Sequence, residues 1–214
     1  MPNYLKRPAI INPNAYKKGR IGILVQDEFE YWKHFNALLE HHKELIAKVL
    51  PDHKFIPLPI GTSYLEAYLS GFVIDYHPFE NHDAPDLEGF RLEDPNDFSH
   101  VHVYYNTHCS QFRQRFTQIH EKLHICQMYD KYFLDYLDWL LENPAFPKNV
   151  VEHLKERVTD KVVGMYMMPE KYFREKYIEN PEVSFLSERF HASAEAVKIR
   201  LHELGLPNIS KIQQ

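Results

Sequence analysis

The sequence has few cysteines and no long apolar run. Cys109 and Cys126 are its only cysteines among 214 residues, so no disulfide framework is expected, and two free thiols fit a reducing cytoplasm. No continuous apolar stretch in Met1–Gln26 resembles the core of a secretory signal, and no later run approaches the length of a membrane span. These absences predict a cytoplasmic protein that does not cross a membrane.

Basic residues are also not in excess. The formal net charge is -5 at pH 7, and the lysines and arginines form no clustered patch, which argues against direct nucleic-acid binding. The composition, 44% hydrophobic and 26% charged, is that of a folded globular chain. The length favours a single domain with helical extensions, whose partners are expected to be proteins or peptides.

The N-terminal half alternates between irregular and regular patterns. Three prolines and an Asn-Pro pair predict an arm or loop over residues 1–20. Apolar residues at spacings of three and four predict an amphipathic helix, or two short ones, from Asp27 to Leu50. A short helix is expected around 63–69, and runs of β-branched and aromatic residues predict strands at 72–76 and 101–105.

The C-terminal half shows the spacing of helices throughout. Phe112, Phe116, Ile119, Leu123 and Cys126 form an apolar stripe within the first helical stretch. Helical patterns cover residues 111–143, 149–168, 170–177 and 183–205, the last dividing at 191–193. The expected fold class is therefore α+β and mainly helical, with a small sheet against the helix that begins near Gln111.

That helix carries the string His120-Glu121-Lys122-Leu123-His124. Histidines four residues apart on a helix lie about 40° apart around its axis and can share one metal ion. Glu121, turned about 100° from His120, is placed to act as general base toward a metal-activated water. Both histidines flank the apolar stripe, which predicts a position at the edge of the core. The alternative is a pair of solvated or capping histidines.

A catalytic zinc site needs a third protein ligand. Glu156 and Asp160 lie four residues apart on the next helix. Glu156 is the predicted third ligand, and Asp160 is predicted to accept a hydrogen bond from the outer nitrogen of a ligand histidine. Glu152, His153 and Asp160 itself remain competing ligands, and a solvated charged face is the alternative without a metal.

Several strings together resemble those of the ImmA/IrrE family of zincin-like peptidases. Arg115–His124 is similar to the family's Arg-Phe-Thr-x-x-His-Glu-x-x-His helix, and Tyr105-Asn106 matches the strand end before it. Met167-Met168-Pro169 resembles the family's Leu-Met-Pro helix terminus, and Phe185–Leu206 resembles its last two helices. The resemblance covers about residues 57–206 and implies a zincin-like domain at 56–178. Residues 1–55 would then form an arm and helix, and 179–214 a helical segment packed on the same domain.

The sequence departs from the family pattern at two places. The family's Glu-x-Glu-Ala-Asn string is Glu156-Arg157-Val158-Thr159-Asp160 here, so the middle glutamate is a valine. The Glu156 to Asp160 spacing is also that of thermolysin-like zincins, which favours Glu156 as ligand. Lys122-Leu123 replaces the commoner Leu-Gly pair within the metal-binding motif, a change that is not expected to affect metal binding.

The resemblance implies a cytoplasmic zinc metalloprotease, a hydrolase that cleaves a regulatory protein such as a helix-turn-helix repressor. Family members of this kind control transcription of mobile elements and stress programmes. A strand edge at Val101–Tyr105 is a hypothetical docking site for an extended substrate. Tyr104, Tyr105 and His108 are candidate stabilisers of the transition state, and the oligomeric state is left open.

Two other functions compete with the peptidase. The altered Glu-x-Glu-Ala string favours a catalytically silent zincin-like regulator that binds proteins. The helices within Phe185–Leu201 also resemble a helix-turn-helix, which would suggest a DNA-binding module. Against that module stand four glutamates on or next to the segment, which leave no basic recognition face: Glu182, Glu188, Glu195 and Glu203.

Overall fold

The computed structural model describes residues 28–49, 71–80 and 87–208. The arm predicted at 1–20, the helix predicted at 63–69 and the domain boundary predicted after residue 55 lie outside these ranges. The division into three parts therefore stays a prediction.

Within the described ranges, helices predominate and surround one small sheet. The elements in chain order are α1 (Glu28–Val49), β1 (Val73–Phe79), β2 (Gly89–Glu93), β3 (His100–Asn106), α2 (Gln111–Tyr129), α3 (Lys131–Leu141), α4 (Lys148–Met167), α5 (Glu170–Glu179), α6 (Val183–Phe190) and α7 (Ala194–Glu203). The predicted fold class, α+β and mainly helical, is confirmed, and α2 packs against β2 and β3 as expected.

The sheet has the order β1-β3-β2, with β1 parallel and β2 antiparallel to the central strand. The hypothesis that Val101–Tyr105 offers a free edge is wrong, because β3 pairs on both sides. The sequence pattern missed β2 for a physical reason. Its charged residues Arg91 and Glu93 pair in register with Val103 and Val101, which are buried on the helix-facing side. The charged residues of β2 therefore face inward, whereas the usual strand pattern places apolar residues inward and polar residues outward.

Close contact between β2 and α2 depends on a glycine. A Cβ atom at Gly89 would collide with the side chain of Thr117 on α2 and with the carbonyl oxygen of Tyr104 on β3. The absence of a side chain therefore lets the strand approach the helix. This approach brings the inner face of β2 next to the middle of α2.

The helical stretch predicted over 111–143 is interrupted at Asp130. This residue has extended backbone angles, φ -82° and ψ 99°, and its carboxylate accepts a hydrogen bond from the backbone N–H of Phe133. Asp130 thus ends α2 and caps the N-terminus of α3. Ser193 caps α7 in the same way, so the predicted division near 191–193 is confirmed.

Helix α4 packs against α1 and α2 and supplies much of the core. Its buried apolar side chains are Val150, Val151, Leu154, Val158, Val162, Val163, Tyr166 and Met167. Val158, which stands where the family has a glutamate, is among them and is fully buried. The adjoining face of the helix points Glu156 toward α2. None of the described helices is long and apolar enough to cross a membrane.

Candidate metal centre

Two histidines on α2 point toward α4. Ser110 caps the start of α2 by accepting a hydrogen bond from the backbone N–H of Arg113, and the helix then runs unbroken through His120 and His124. The side chain of His120 is 13% exposed and that of His124 only 1% exposed. His124 therefore lies deeper than the predicted edge of the core, because α4 packs over it.

His120, His124 and Glu156 bring three possible donor atoms together. The Nε2 atoms of the two histidines lie 2.9 Å apart. Oε2 of Glu156 lies 3.1 Å from Nε2 of His124 and 3.3 Å from Nε2 of His120. Metal–ligand bonds of about 2.0–2.1 Å in a tetrahedral arrangement separate the donors by about 3.3 Å. Two imidazole nitrogens and a carboxylate oxygen at these separations fit a divalent metal ion.

A polar side chain lies close to the outer nitrogen of each histidine. Nδ1 of His120 lies 3.0 Å from Oδ1 of Asp160, the residue singled out in the sequence for such a contact. Nδ1 of His124 lies 3.0 Å from Oε1 of Gln127, and the amide nitrogen of Gln127 donates to Thr159 at 3.0 Å. Partners of this kind orient ligand histidines and fix their tautomers. The sequence reasoning missed Gln127, although its position three residues after His124 on one helix face was a usable signal.

The electrostatics of the three groups are strongly coupled. Burial opposes a charge on His120, but contacts with Asp160 and Glu156 outweigh it and raise the pKa of His120 to about 10. Burial, together with the charge on His120, lowers the pKa of His124 to about 4. Burial of Glu156 favours its protonated form, yet hydrogen bonds from both histidines hold its pKa well below the usual range. The carboxylate is therefore available as an anionic ligand.

Glu121, the predicted general base, follows His120 on α2, and its side chain is 8% exposed. Its Oε2 atom lies 3.1 Å from Nη1 of Arg91 on β2. The same guanidinium group contacts the sulfur of Met128 at 3.9 Å. Arg91 thus holds the carboxylate in a fixed orientation, and sequence reasoning had not identified this residue.

Two of the three competing ligands lie away from the donor atoms, and Asp160 faces the outer nitrogen of His120. Glu152 is exposed and pairs with Lys148 at 3.6 Å, and Nδ1 of His153 is 2.9 Å from the hydroxyl of Tyr31. Tyr104, one of three candidate stabilisers of the transition state, stacks on Phe90 on the sheet face opposite α2 and so does not face the three donor atoms.

A pair of histidines separated by one helical turn that contains a glutamate, with a carboxylate supplied by α4, is a site of the metallopeptidase type. The chain matches the family model of the Peptidase M78 family, described as the IrrE N-terminal-like domain, over residues 70–202. The chain belongs to this family, and the resemblance to the ImmA/IrrE family is confirmed. The family supports a function of the metallopeptidase type, which requires a metal ion. No curated protein matches the chain.

Proposed function

We propose that the chain is a zinc-dependent endopeptidase in which His120, His124 and Glu156 hold the metal. The observation that carries the proposal is the set of three donor atoms separated by 2.9 to 3.3 Å. Two imidazoles and one carboxylate are a common ligand set of catalytic zinc, which keeps a further position open for water or substrate. A bound zinc ion supplies a Lewis acid that polarises the peptide carbonyl and lowers the pKa of the attacking water.

Glu121 acts as the general base. Its carboxylate takes the proton from the attacking water and later delivers a proton to the leaving amine, so that the two chemical steps share one residue. The Glu121 side chain is nearly buried, which limits its contact with bulk water. Its ion pair with Arg91 holds the carboxylate in one orientation before substrate binds.

Asp160 and Gln127 position the two ligand histidines. Each places a side-chain oxygen 3.0 Å from the outer ring nitrogen, and the Nε2 atoms of both histidines lie near Oε2 of Glu156. This arrangement accounts for the short distance of 2.9 Å between the Nε2 atoms of His120 and His124. Loss of either partner should weaken metal binding more than it weakens the fold.

The substrate is a protein segment in an extended conformation, cleaved in a regulatory protein such as a helix-turn-helix repressor. Strand β2 supports this assignment, because it is an edge strand whose outer side meets no other strand in the part of the chain that the structure describes. An extended peptide can pair with such an edge through its backbone. The same strand contains Arg91, which contacts Glu121. A peptide paired with β2 would therefore lie near the proposed base. The repressor itself rests on the family resemblance.

Cleavage of an unfolded model protein, mapped at its new termini, tests the proposal. The wild-type chain loaded with zinc should cut, whereas Glu121→Gln should bind zinc normally and lose cleavage by at least about a hundredfold, the usual contribution of a general base. Asp138→Asn on α3, a substitution away from the site, is the control. If the wild-type chain binds zinc but does not cleave the model protein, the result favours the alternative function, a catalytically silent regulator that binds proteins.

A further inference from the structure

The sheet face opposite α2 carries a second group of metal-binding side chains. Asp75 and His77 alternate along β1, and His100 and His102 alternate along β3. Because the strands are parallel with Asp75 opposite His102, all four side chains project from the same face of the sheet. Val101 and Val103, which alternate with the two histidines on β3, are buried on the helix side. This group is therefore separated from His120 and His124 by the sheet itself.

Three of these side chains converge on one point. Nε2 of His77 lies 3.0 Å from Nδ1 of His102, and Oδ2 of Asp75 lies 3.9 Å from the same nitrogen. The donor atoms of all three residues lie within 4.8 Å of one another. These separations lie on either side of the value of about 3.3 Å expected between the donors of a tetrahedral ion.

The surroundings hold the three side chains in place. Nε2 of His100 lies 2.7 Å from Oδ2 of Asp75 and orients the carboxylate, as outer partners of ligands do in metal sites. The ring of His77 stacks on Tyr104, with centroids 4.9 Å apart and planes 26° apart. The side chain of Asp75 is 49% exposed and that of His102 is 26% exposed, so an ion from solvent can reach them.

We propose that Asp75, His77 and His102 form a second site for a divalent transition metal, distinct from the centre on α2 and α4. Two imidazoles and one carboxylate suit zinc and its neighbours in the first transition row. The ion would join edge strand β1 to central strand β3. Asp94, His100 and His102 also lie within the same distance limit, but they share His102 with the first set, so one ion is expected on this face.

Zinc content per chain, measured after loading and extensive dialysis, tests the second site without reference to activity. The wild-type chain should hold two zinc ions. Asp75→Asn and His77→Gln should each hold one, while Asp94→Asn and the exposed His202→Gln, a matched control on α7, should hold two. Glu156→Ala should also fall to one ion, which separates failure at the peptidase centre from failure at this site.

A thermal melt followed by circular dichroism adds a second measurement and shows that each variant folds. In the Glu156→Ala background, zinc should raise the melting temperature, and the added substitution Asp75→Asn should abolish that rise. The proposal is overturned if the wild type holds a single ion that Glu156→Ala removes. It is equally overturned if Asp75→Asn and His77→Gln retain two ions, or if Asp94→Asn alone loses one.

Discussion

Nη1 of Arg91 lies 3.1 Å from Oε2 of Glu121, although the two residues are 30 positions apart in the sequence. The side chains are 12% and 8% exposed, so the pair is largely removed from solvent. Removal of one member of a buried pair leaves an uncompensated charge, at a cost of about 3–5 kcal/mol when burial is complete. The Arg91–Glu121 pair therefore both stabilises the packing of β2 against α2 and orients the carboxylate of the proposed base.

Arg91→Met should lower the free energy of unfolding by roughly 2–4 kcal/mol, allowing for partial exposure, and should also reduce cleavage while zinc content is unchanged. Urea denaturation, zinc analysis and cleavage of the model protein measure the three quantities. Arg113→Met is the matched control, since its pair with Glu88 is exposed, with side chains 49% and 38% accessible, and such pairs contribute about 0–1 kcal/mol. Equal effects of the two substitutions would contradict the assigned role of Arg91.

Gln127→Met should weaken zinc binding at the α2–α4 centre by roughly 10- to 100-fold, the usual effect of losing an outer partner of a ligand. The reason is that Nδ1 of His124 loses the acceptor found at 3.0 Å. Competition with a chelator of known affinity measures the change. Gln118→Met on the same helix serves as control and should leave the affinity unaltered. An unchanged affinity in Gln127→Met would show that packing alone orients His124.

Two glycine substitutions should shift stability in opposite directions. Gly89→Ala should destabilise the fold by roughly 1–3 kcal/mol, in the range for overpacking, because its Cβ meets Thr117 and the backbone of Tyr104. Gly164→Ala lies within α4 with no atom near the added Cβ, and should stabilise by about 0.5–1 kcal/mol through helix propensity. Urea denaturation measures both. A Gly89→Ala variant as stable as the wild type would mean that β2 does not approach α2 closely.

Much of the candidate site follows from local sequence. The spacing of His120, Glu121 and His124, and of Glu156 and Asp160, fixes which side chains share a helix face, because helix geometry needs no knowledge of the remaining fold. The break at Asp130 was also within reach, since an aspartate before a new apolar period is a capping signal.

Other parts required the folded structure. Arg91 points inward from a strand whose alternation is inverted, so its pairing with Glu121 depends on how β2 docks on α2. The alternating histidines of β3 were visible in the sequence, but their approach to Asp75 and His77 depends on the parallel pairing of β1 with β3. Strand pairing between distant segments leaves no local pattern to detect.

Acid should destabilise the fold partly through His42 on α1. Burial lowers the pKa of this histidine, although its Nδ1–H donates to the carbonyl of Leu38 at 2.8 Å. The unfolded chain then binds a proton that the folded chain does not, so stability is greatest above the unfolded pKa of about 6.5 and falls as pH decreases below it. One such group contributes a slope of at most about 1.4 kcal/mol per pH unit.

His42→Gln should therefore show a weaker loss of stability than the wild type between about pH 7 and pH 5. Urea midpoints across this range measure the slope, and the exposed His202→Gln should keep the wild-type slope. Identical slopes for all three chains would mean that His42 titrates alike in the folded and unfolded states.

Zinc stoichiometry at the α2–α4 centre tests the central claim most directly. The measurement is best made in the Asp75→Asn background, so that only this centre is counted. That chain should hold one zinc ion, Glu156→Ala should remove it, and Glu152→Ala, one helical turn earlier on the exposed face of α4, should keep it. Zinc that survives Glu156→Ala, or is lost equally in Glu152→Ala, would contradict the assignment of His120, His124 and Glu156 as the metal ligands.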